Sequence, residues 1–170
     1  MRFYNSQVVP ISTEIVRVLL SKGDIESESP REVEADIASV LNTYLADEKD
    51  VNDRAKELLE RTGRGTSEYS RVRTQMAESK GIKLGDEALD YILDQVVEIF
   101  HHSQNVDEIF VEDVELRRKM APVFKRYMSQ EMDLDGEVRG QLRHVREGTH
   151  TWDIEYARVL EATKRKKGLM

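Results

Sequence analysis

The chain of 170 residues contains no cysteine, which excludes disulfides, thiolate metal ligands and cysteine nucleophiles. It has no apolar run close to the roughly 20 residues that a membrane-spanning helix needs. The residues that follow Met1 lack the apolar core of a secretory signal peptide. These absences predict a soluble, cytoplasmic protein that does not associate with a membrane.

Proline, glycine and aromatic residues are scarce, with three prolines, nine glycines and an aromatic content of 6%. Charged residues make up 35% of the chain and apolar residues 39%, a balance typical of a highly charged helical protein rather than a disordered one. The formal net charge of −7 weighs against general nucleic-acid binding, although a local basic patch can override it.

Motifs that mark an active site are absent as well. The chain has no G-x-x-x-x-G-K-[ST] phosphate loop, no G-x-S-x-G nucleophile elbow and no H-E-x-x-H metal motif. No two of the four histidines have the i, i+4 spacing of a helical metal pair. These histidines are His101, His102, His144 and His150. We therefore predict that the protein is not an enzyme and uses neither a cofactor nor a metal.

The most informative feature present is an internal repeat, in which the second half of the chain resembles the first at an offset that grows from 81 to 87 residues. The segment 15–19 returns as 96–100, and Tyr69 returns as Tyr156. Such self-similarity indicates repeated structural units. We predict a first helical repeat at residues 1–82 and a second at residues 83–170, packed together.

Within each repeat, apolar residues recur at spacings of three and four, which is the period of a helix. Ser29 followed by Pro30 is typical of a helix start, with Glu32 completing a capping box. Asp50 and Asp133 are predicted to cap the third helix of each repeat. The sequence thus predicts an all-α fold of about eight helices, arranged as two tandem, duplicated four-helix units.

The ends of these units are also predicted. The fourth helices are expected to begin near Thr66 and Thr151 and to stop at Gly81 and Gly168, because a Lys-Gly-apolar sequence suits a left-handed helix end. The apolar residues around Ile25 and at 109–111 are expected to be extended, but too short to form a sheet.

Five segments carry a resemblance to a known family: Met1–Phe3, Gly23–Glu26, Ser103–Glu108, Val138–Thr149 and Trp152–Tyr156. In these the chain resembles a bacterial family named only as domain-of-unknown-function family 507, and the resemblance covers essentially the whole length. It implies a small, helical, cytoplasmic bacterial protein and assigns no catalytic residue.

The densest polar stretch lies near the C-terminus. Residues 137–170 contain eight Lys or Arg against five Asp or Glu, whereas residues 83–115 contain one against ten. Arg139, Arg143 and Arg146 would share one face if they lie on a helix, where they could grip an anionic partner. The candidate binding residues are Arg139, Arg143, His144, Arg146, Trp152, Lys164, Arg165, Lys166 and Lys167.

Three interpretations of this basic face remain open. In the first, it balances the charge of the acidic segment 83–115, within the molecule or between subunits. In the second it binds an anionic protein, and in the third it contacts RNA or the ribosome. Trp152 either anchors the last helix or forms a binding hot spot. The repeated tyrosines are expected to belong to the core, with their hydroxyls at its edge.

These features together predict a non-enzymatic helical binding or adaptor protein that engages a protein partner, with an RNA- or ribosome-associated protein as the alternative. The sequence leaves open whether the chain forms a homo-oligomer.

Overall fold

Helices account for nearly all of the regular structure, as the apolar spacing predicts. The computed structural model describes residues 3–167, except for the side chains of residues 130–133. The α-helices are α1 (Val8–Ser21), α2 (Pro30–Thr62), α3 (Tyr69–Lys80), α4 (Ala88–His102), α5 (Asp113–Gln141) and α6 (His150–Lys166). Short 3₁₀ turns precede α1, α3 and α4, at residues 5–7, 66–68 and 85–87. The predicted all-α class is confirmed, but the prediction of about eight helices is wrong for the described residues.

The difference arises because the predicted second and third helices of each half form one long helix. Residues 46–52 contain neither proline nor glycine, and the Asp50 carboxylate does not cap a helix. It accepts hydrogen bonds from Arg54 Nε (3.2 Å) and from Lys80 Nζ (2.8 Å). Asp133 lies within α5, and its side chain is outside the described part of the chain. The 33 residues of α2 therefore extend over roughly 50 Å.

Most predicted helix ends are close to those observed. Helix α2 begins directly after Ser29, although the Ser29 side chain makes no capping hydrogen bond. Gly81 is left-handed (φ 82°), and its N–H and that of Ile82 donate to the Ala77 carbonyl, which confirms the predicted stop. Gly168 lies outside the described residues.

The fourth helices begin within about one turn of the predicted positions. Helix α3 begins at Tyr69, after the 3₁₀ turn that contains Thr66. Helix α6 begins at His150, one residue before the predicted Thr151. The Thr149 hydroxyl accepts a hydrogen bond from the Trp152 N–H at 3.2 Å. This cap satisfies one of the unpaired N–H groups at the start of α6.

The expectation that the extended pieces form no sheet is wrong. Strand β1 (Ile25–Glu26) pairs antiparallel with β2 (Glu108–Ile109), in the register Ile25 to Ile109 and Glu26 to Glu108. Side chains strengthen this junction, because Asp107 Oδ2 accepts a hydrogen bond from the Glu28 N–H (2.8 Å). These contacts join the two halves where α2 and α5 begin.

One apolar core contains side chains from both halves. Helices α1 and α4 each contact both long helices, so the core lies among α1, α4 and the first halves of α2 and α5. Beyond the core, two hairpins extend as arms. We call residues 46–82 (the end of α2 with α3) the first arm, and residues 134–167 (the end of α5 with α6) the second arm.

Buried positions recur between the two halves. Buried residues of α1 lie 81 positions before buried residues of α4, and buried residues of α2 lie 83 positions before buried residues of α5. The buried pairs include Ile11 with Ile92, Ile15 with Val96, Leu19 with Phe100, Val33 with Leu116, Ile37 with Met120 and Leu41 with Phe124. The two halves therefore direct equivalent positions toward the shared core.

None of the described helices has the combination of length and apolar character that crossing a membrane would require.

Candidate functional site

The two arms meet at their outer ends. Lys56 Nζ of the first arm lies 2.5 Å from Asp153 Oδ1 of the second, and His150 Nε2 lies 3.3 Å from Glu60 Oε1. A Cβ atom added to Gly148 would lie 3.4 Å from Tyr69 Cγ, so the tyrosine ring lies directly against this glycine. We call residues 60–68 and 143–150 together the arm tips.

The contact between the arms is polar and partly buried. The Lys56 side chain is only 13% exposed, and its ammonium lies 5.8 Å from the centre of the Tyr69 ring. Burial raises the pKa of Tyr69 to about 12, an effect to which the charge of Asp153 adds, whereas the charge of Arg73 lowers it. The phenol is therefore neutral at physiological pH, and the paired charges fix how the arms meet.

Trp152 and Tyr156 form the apolar centre of the second arm. Their rings are stacked with centroids 4.8 Å apart, and Trp152 is only 9% exposed. The Arg139 guanidinium lies 5.1 Å from the centre of the Trp152 ring. In this structure Trp152 anchors α6 to α5, as one of its two sequence interpretations expected.

A chain of polar contacts surrounds this stack. The Tyr156 hydroxyl donates to Asp135 Oδ1 at 2.5 Å and lies 3.1 Å from the Tyr4 hydroxyl. Arg139 Nε donates to Asp135 Oδ2 and Arg139 Nη1 to Glu147 Oε2, both at 2.9 Å. Burial and the hydrogen bond to Asp135 raise the pKa of Tyr156 far above its usual value. Arg139 is thus committed to contacts within the second arm.

The predicted basic residues do not form a single surface. Helix α5 ends at Gln141, so Arg143 and Arg146 lie in the turn after it, and the prediction that they share a helical face with Arg139 is wrong. Leu142, the first residue after the helix, is non-helical and lies buried in the apolar cluster of the second arm. His144 lies exposed in the same turn.

The other basic residues, Lys164–Lys167, lie at the opposite end of α6, roughly 25 Å away along the 17-residue helix. The Lys164 ammonium lies 4.1 Å from the centre of the Tyr4 ring, beside the core. Arg165 pairs with Glu161 at 2.6 Å, and Lys167 pairs with Glu137 at 2.7 Å.

Acidic residues of the second arm therefore neutralise much of its basic charge. Within the described part of the chain, no ion pair joins residues 83–115 to residues 137–167. No ion pair among the described residues therefore supports the interpretation that these two segments balance each other within one molecule.

Three arginines of the arm tips have exposed guanidinium groups that make no ion pair or hydrogen bond with any described residue: Arg61, Arg143 and Arg146. Arg61 is not among the basic residues predicted from the sequence, which all lie in the C-terminal stretch. No local signal in the sequence marks Arg61, because it lies 82 residues or more from Arg143 and Arg146 in the chain.

The two histidines at the end of α4 each lie beside a carboxylate. His101 Nε2 lies 2.7 Å from Asp113 Oδ1 at the start of α5, and His102 Nε2 lies 2.8 Å from Glu98 Oε1. Among the described residues, no three His, Asp or Glu side chains are placed to hold a metal ion together.

These observations define a class of protein: an all-helical chain with one shared core, two hairpin arms and unpaired arginines at the arm tips. The chain belongs to the family described as "Protein of unknown function (DUF507)", whose family model matches residues 1–169. The resemblance drawn from the sequence motifs is therefore confirmed. No curated protein shows a significant match to the chain.

Proposed function

We propose that this protein is a non-enzymatic helical binding protein whose arm tips contact an anionic segment of a partner protein. The observation that carries the proposal is the group of three exposed arginines, Arg61, Arg143 and Arg146, which have no acidic partner in a chain of net charge −7. Arginine recognises carboxylates through two parallel hydrogen bonds, and an acidic protein segment would supply them.

The surroundings of the arginines favour a protein over a nucleic acid. Glu57, Glu60 and Glu147 are exposed beside the tips, and the net charge of the whole chain opposes a long polyanion. Nucleic acids are bound through many phosphate contacts with release of counterions, whereas a short acidic segment needs only a few. An RNA- or ribosome-associated role remains the alternative proposal, and the experiment below distinguishes it.

We propose a non-enzymatic role because the polar side chains of the second arm are taken up by structural hydrogen bonds. Tyr156, Asp135 and Arg139, the most connected polar residues of the second arm, bond to one another and to Tyr4. Their role in the proposal is to hold α6 in place so that the tips keep their shape.

The recurrence of buried positions supports a further part of the proposal, an internal duplication with residues 1–82 as one unit and 83–170 as the other. Under this proposal Val33 corresponds to Leu116, because both are fully buried. The offset of 81 residues that matches 15–19 with 96–100 would instead match Val33 with Val114, which is 62% exposed. We also propose that the protein acts in the bacterial cytoplasm.

The test is a pull-down from cell extract with the tagged full chain, carried out with and without nuclease. We expect a defined set of proteins that is retained after nuclease treatment. Loss of every partner on nuclease treatment, together with co-purifying RNA, would instead support the RNA-associated alternative. A chain that retains neither protein nor RNA would contradict both.

A further inference from the structure

The end of the molecule opposite the arm tips is formed by the β1–β2 ribbon and the starts of the two long helices. We call residues 22–32 and 103–114 together the ribbon end. Both long helices begin there and end in the arms, and the 33 residues of α2 place the tips roughly 50 Å away. Phe110 and Val114 of the ribbon end are 59% and 62% exposed. Exposed apolar side chains with charged neighbours are typical of a protein contact surface.

The charged neighbours at the ribbon end are mainly acidic. This end holds eight Asp or Glu against two Lys or Arg. The register places Glu26 directly opposite Glu108, and like charges at such a position destabilise a strand pair. A cation supplied by a partner would remove this cost. Five exposed carboxylates of the ribbon end make no ion pair or hydrogen bond with any described residue: Glu26, Glu28, Glu32, Glu108 and Glu112.

The arm tips have the opposite charge and an exposed apolar side chain as well. Their unpaired arginines are Arg61, Arg143 and Arg146. Ile154 is exposed on α6, one turn after His150, so it extends the surface of the second tip. In the described part of the chain, three of the four large apolar side chains that are exposed lie at the ribbon end or beside the tips. Each end therefore combines unpaired charge of one sign with exposed apolar surface.

The two ends of one chain are too far apart to neutralise each other. Their separation of roughly 50 Å is several times the Debye length of about 8 Å at physiological ionic strength. A second copy of the chain, however, presents the complementary charge to each end.

The second arm already contains the kind of contact that we expect between the ends. Arg139 lies 5.1 Å from the centre of the Trp152 ring and pairs with Asp135 and Glu147. Arginine suits such a place because its planar guanidinium stacks on an aromatic ring and binds carboxylates at its edge. At the ribbon end, Phe110 follows Glu108 by two residues, so an aromatic ring and unpaired carboxylates are present there too.

We propose that the arm tips of one copy bind the ribbon end of a second copy, so that the chains associate head to tail. The unpaired arginines of the tips then face the unpaired carboxylates and Phe110 of the ribbon end. This inference rests on the proposed function, because it names the partner of the arm tips. A head-to-tail contact leaves one tip surface and one ribbon end unoccupied, so the assembly grows by further copies or closes into a ring.

The experiment measures self-association of the purified full chain by sedimentation velocity. We expect the average mass of the wild type to rise above that of a monomer as the concentration increases, and to fall as salt is added, because salt screens the contact between the ends. A wild-type chain that stays monomeric at low salt up to about 1 mM overturns the proposal.

Two neutralised variants test the two surfaces separately. The tip variant is Arg61→Ala/Arg143→Ala/Arg146→Ala, and the ribbon variant is Glu26→Gln/Glu28→Gln/Glu108→Gln. Each alone should self-associate at least about tenfold more weakly than the wild type. An equimolar mixture should form a complex of two chains that does not grow, because it joins the intact tips of the ribbon variant to the intact ribbon end of the tip variant.

A matched control separates the ribbon end from the acidic surface in general. Glu78→Gln/Asp86→Asn/Asp90→Asn removes three exposed, unpaired carboxylates from α3 and the start of α4, away from both ends. This variant should self-associate like the wild type. A circular dichroism spectrum of each variant establishes that it is folded.

Three further results would overturn the head-to-tail contact: a tip or ribbon variant that associates as tightly as the wild type, a control variant that loses association equally, or a mixture of the tip and ribbon variants that stays monomeric. The pull-down separates this failure from that of the proposed function. A monomeric wild type whose captured partners are lost in the tip variant overturns only the head-to-tail contact, whereas a tip variant that keeps every partner contradicts the proposed function itself.

Discussion

The two arms share one helical plan but are held together by different side chains. The second arm is centred on the stack of Trp152 and Tyr156, whereas the offset of 87 residues between Tyr69 and Tyr156 places Gly65 of the first arm opposite Trp152. The buried residues of the first arm are instead aliphatic and lie in two separate clusters, one of Val51, Ala77 and Ile82 and the other of Ala55, Leu59 and Val72. The comparison teaches that two helical hairpins of one chain can distribute their stability over many contacts or concentrate it in one.

The largest effect is expected from Trp152→Ala, which removes the centre of the concentrated arm. Loss of a buried tryptophan costs about 3–5 kcal/mol of unfolding free energy. We expect amide hydrogen exchange to accelerate throughout the second arm and to change little in the core. The comparison variant is Leu59→Ala, the largest buried residue in the clusters of the first arm apart from Ile82, which should accelerate exchange only near its own cluster. Equal losses in the two variants would contradict the proposed difference between the arms.

Tyr156→Phe isolates the polar contribution to the second arm. The change removes a hydrogen bond to the Asp135 carboxylate and should lower the unfolding free energy by about 1.5–3 kcal/mol, as measured by urea denaturation. Tyr69→Phe is the control, because the Tyr69 hydroxyl makes no hydrogen bond with the described residues and its removal should have almost no effect at neutral pH. An unchanged unfolding free energy of Tyr156→Phe would show that the hydrogen bond to Asp135 does not stabilise the second arm.

Alkaline pH should weaken both arms through the same two tyrosines. Burial raises the pKa of Tyr69 to about 12, and burial with the Asp135 hydrogen bond raises that of Tyr156 as well. An unfolded tyrosine loses its proton near pH 10, so the stabilising contribution is complete below that pH and declines as pH rises toward the folded pKa.

The expected decline is up to about 1.4 kcal/mol per pH unit for each tyrosine. Urea denaturation from about pH 9 to about pH 11.5 measures it, and each Tyr→Phe variant should flatten the curve. An unchanged slope in both variants would assign the alkaline loss to other groups.

The ion pair between the arms should give the smallest effect. A double-mutant cycle on Lys56 and Asp153, using Met and Asn as replacements, should measure a coupling of about 1 kcal/mol, because Lys56 is largely shielded from solvent. The exposed pair Lys49–Asp53 within α2 is the control and should give about 0.3–0.5 kcal/mol. Similar values for the two pairs would mean that the contact between the arms is no stronger than a surface pair.

Local signals in the sequence predicted the helix ends well. Gly81 stops α3 because a left-handed glycine followed by an apolar residue is sufficient on its own. The prediction that Asp50 caps a helix was wrong because its role depends on a distant residue. Asp50 binds Lys80, which lies 30 residues away in the sequence and comes close only after folding. The pairing of β1 with β2 likewise depends on contacts between the two halves.

The candidate site was predicted only in part. Arg143 and Arg146 were selected from local charge, and they are exposed at the tips. Arg139, predicted from the same local charge, and Trp152, predicted as either an anchor or a hot spot, are both committed to the packing of the second arm. Arg61 was missed because only the folded arms bring the first tip against the second.

The most direct measurement of the central claim is the affinity of a purified, nuclease-resistant partner for three forms of the full chain. These are the wild type, the tip variant Arg61→Ala/Arg143→Ala/Arg146→Ala, and the control variant Lys22→Ala/Arg31→Ala/Lys125→Ala, whose exposed cations lie outside the tips. The account predicts at least about a tenfold loss of affinity for the tip variant and no loss for the control. Equal affinities for the tip variant and the wild type would contradict it.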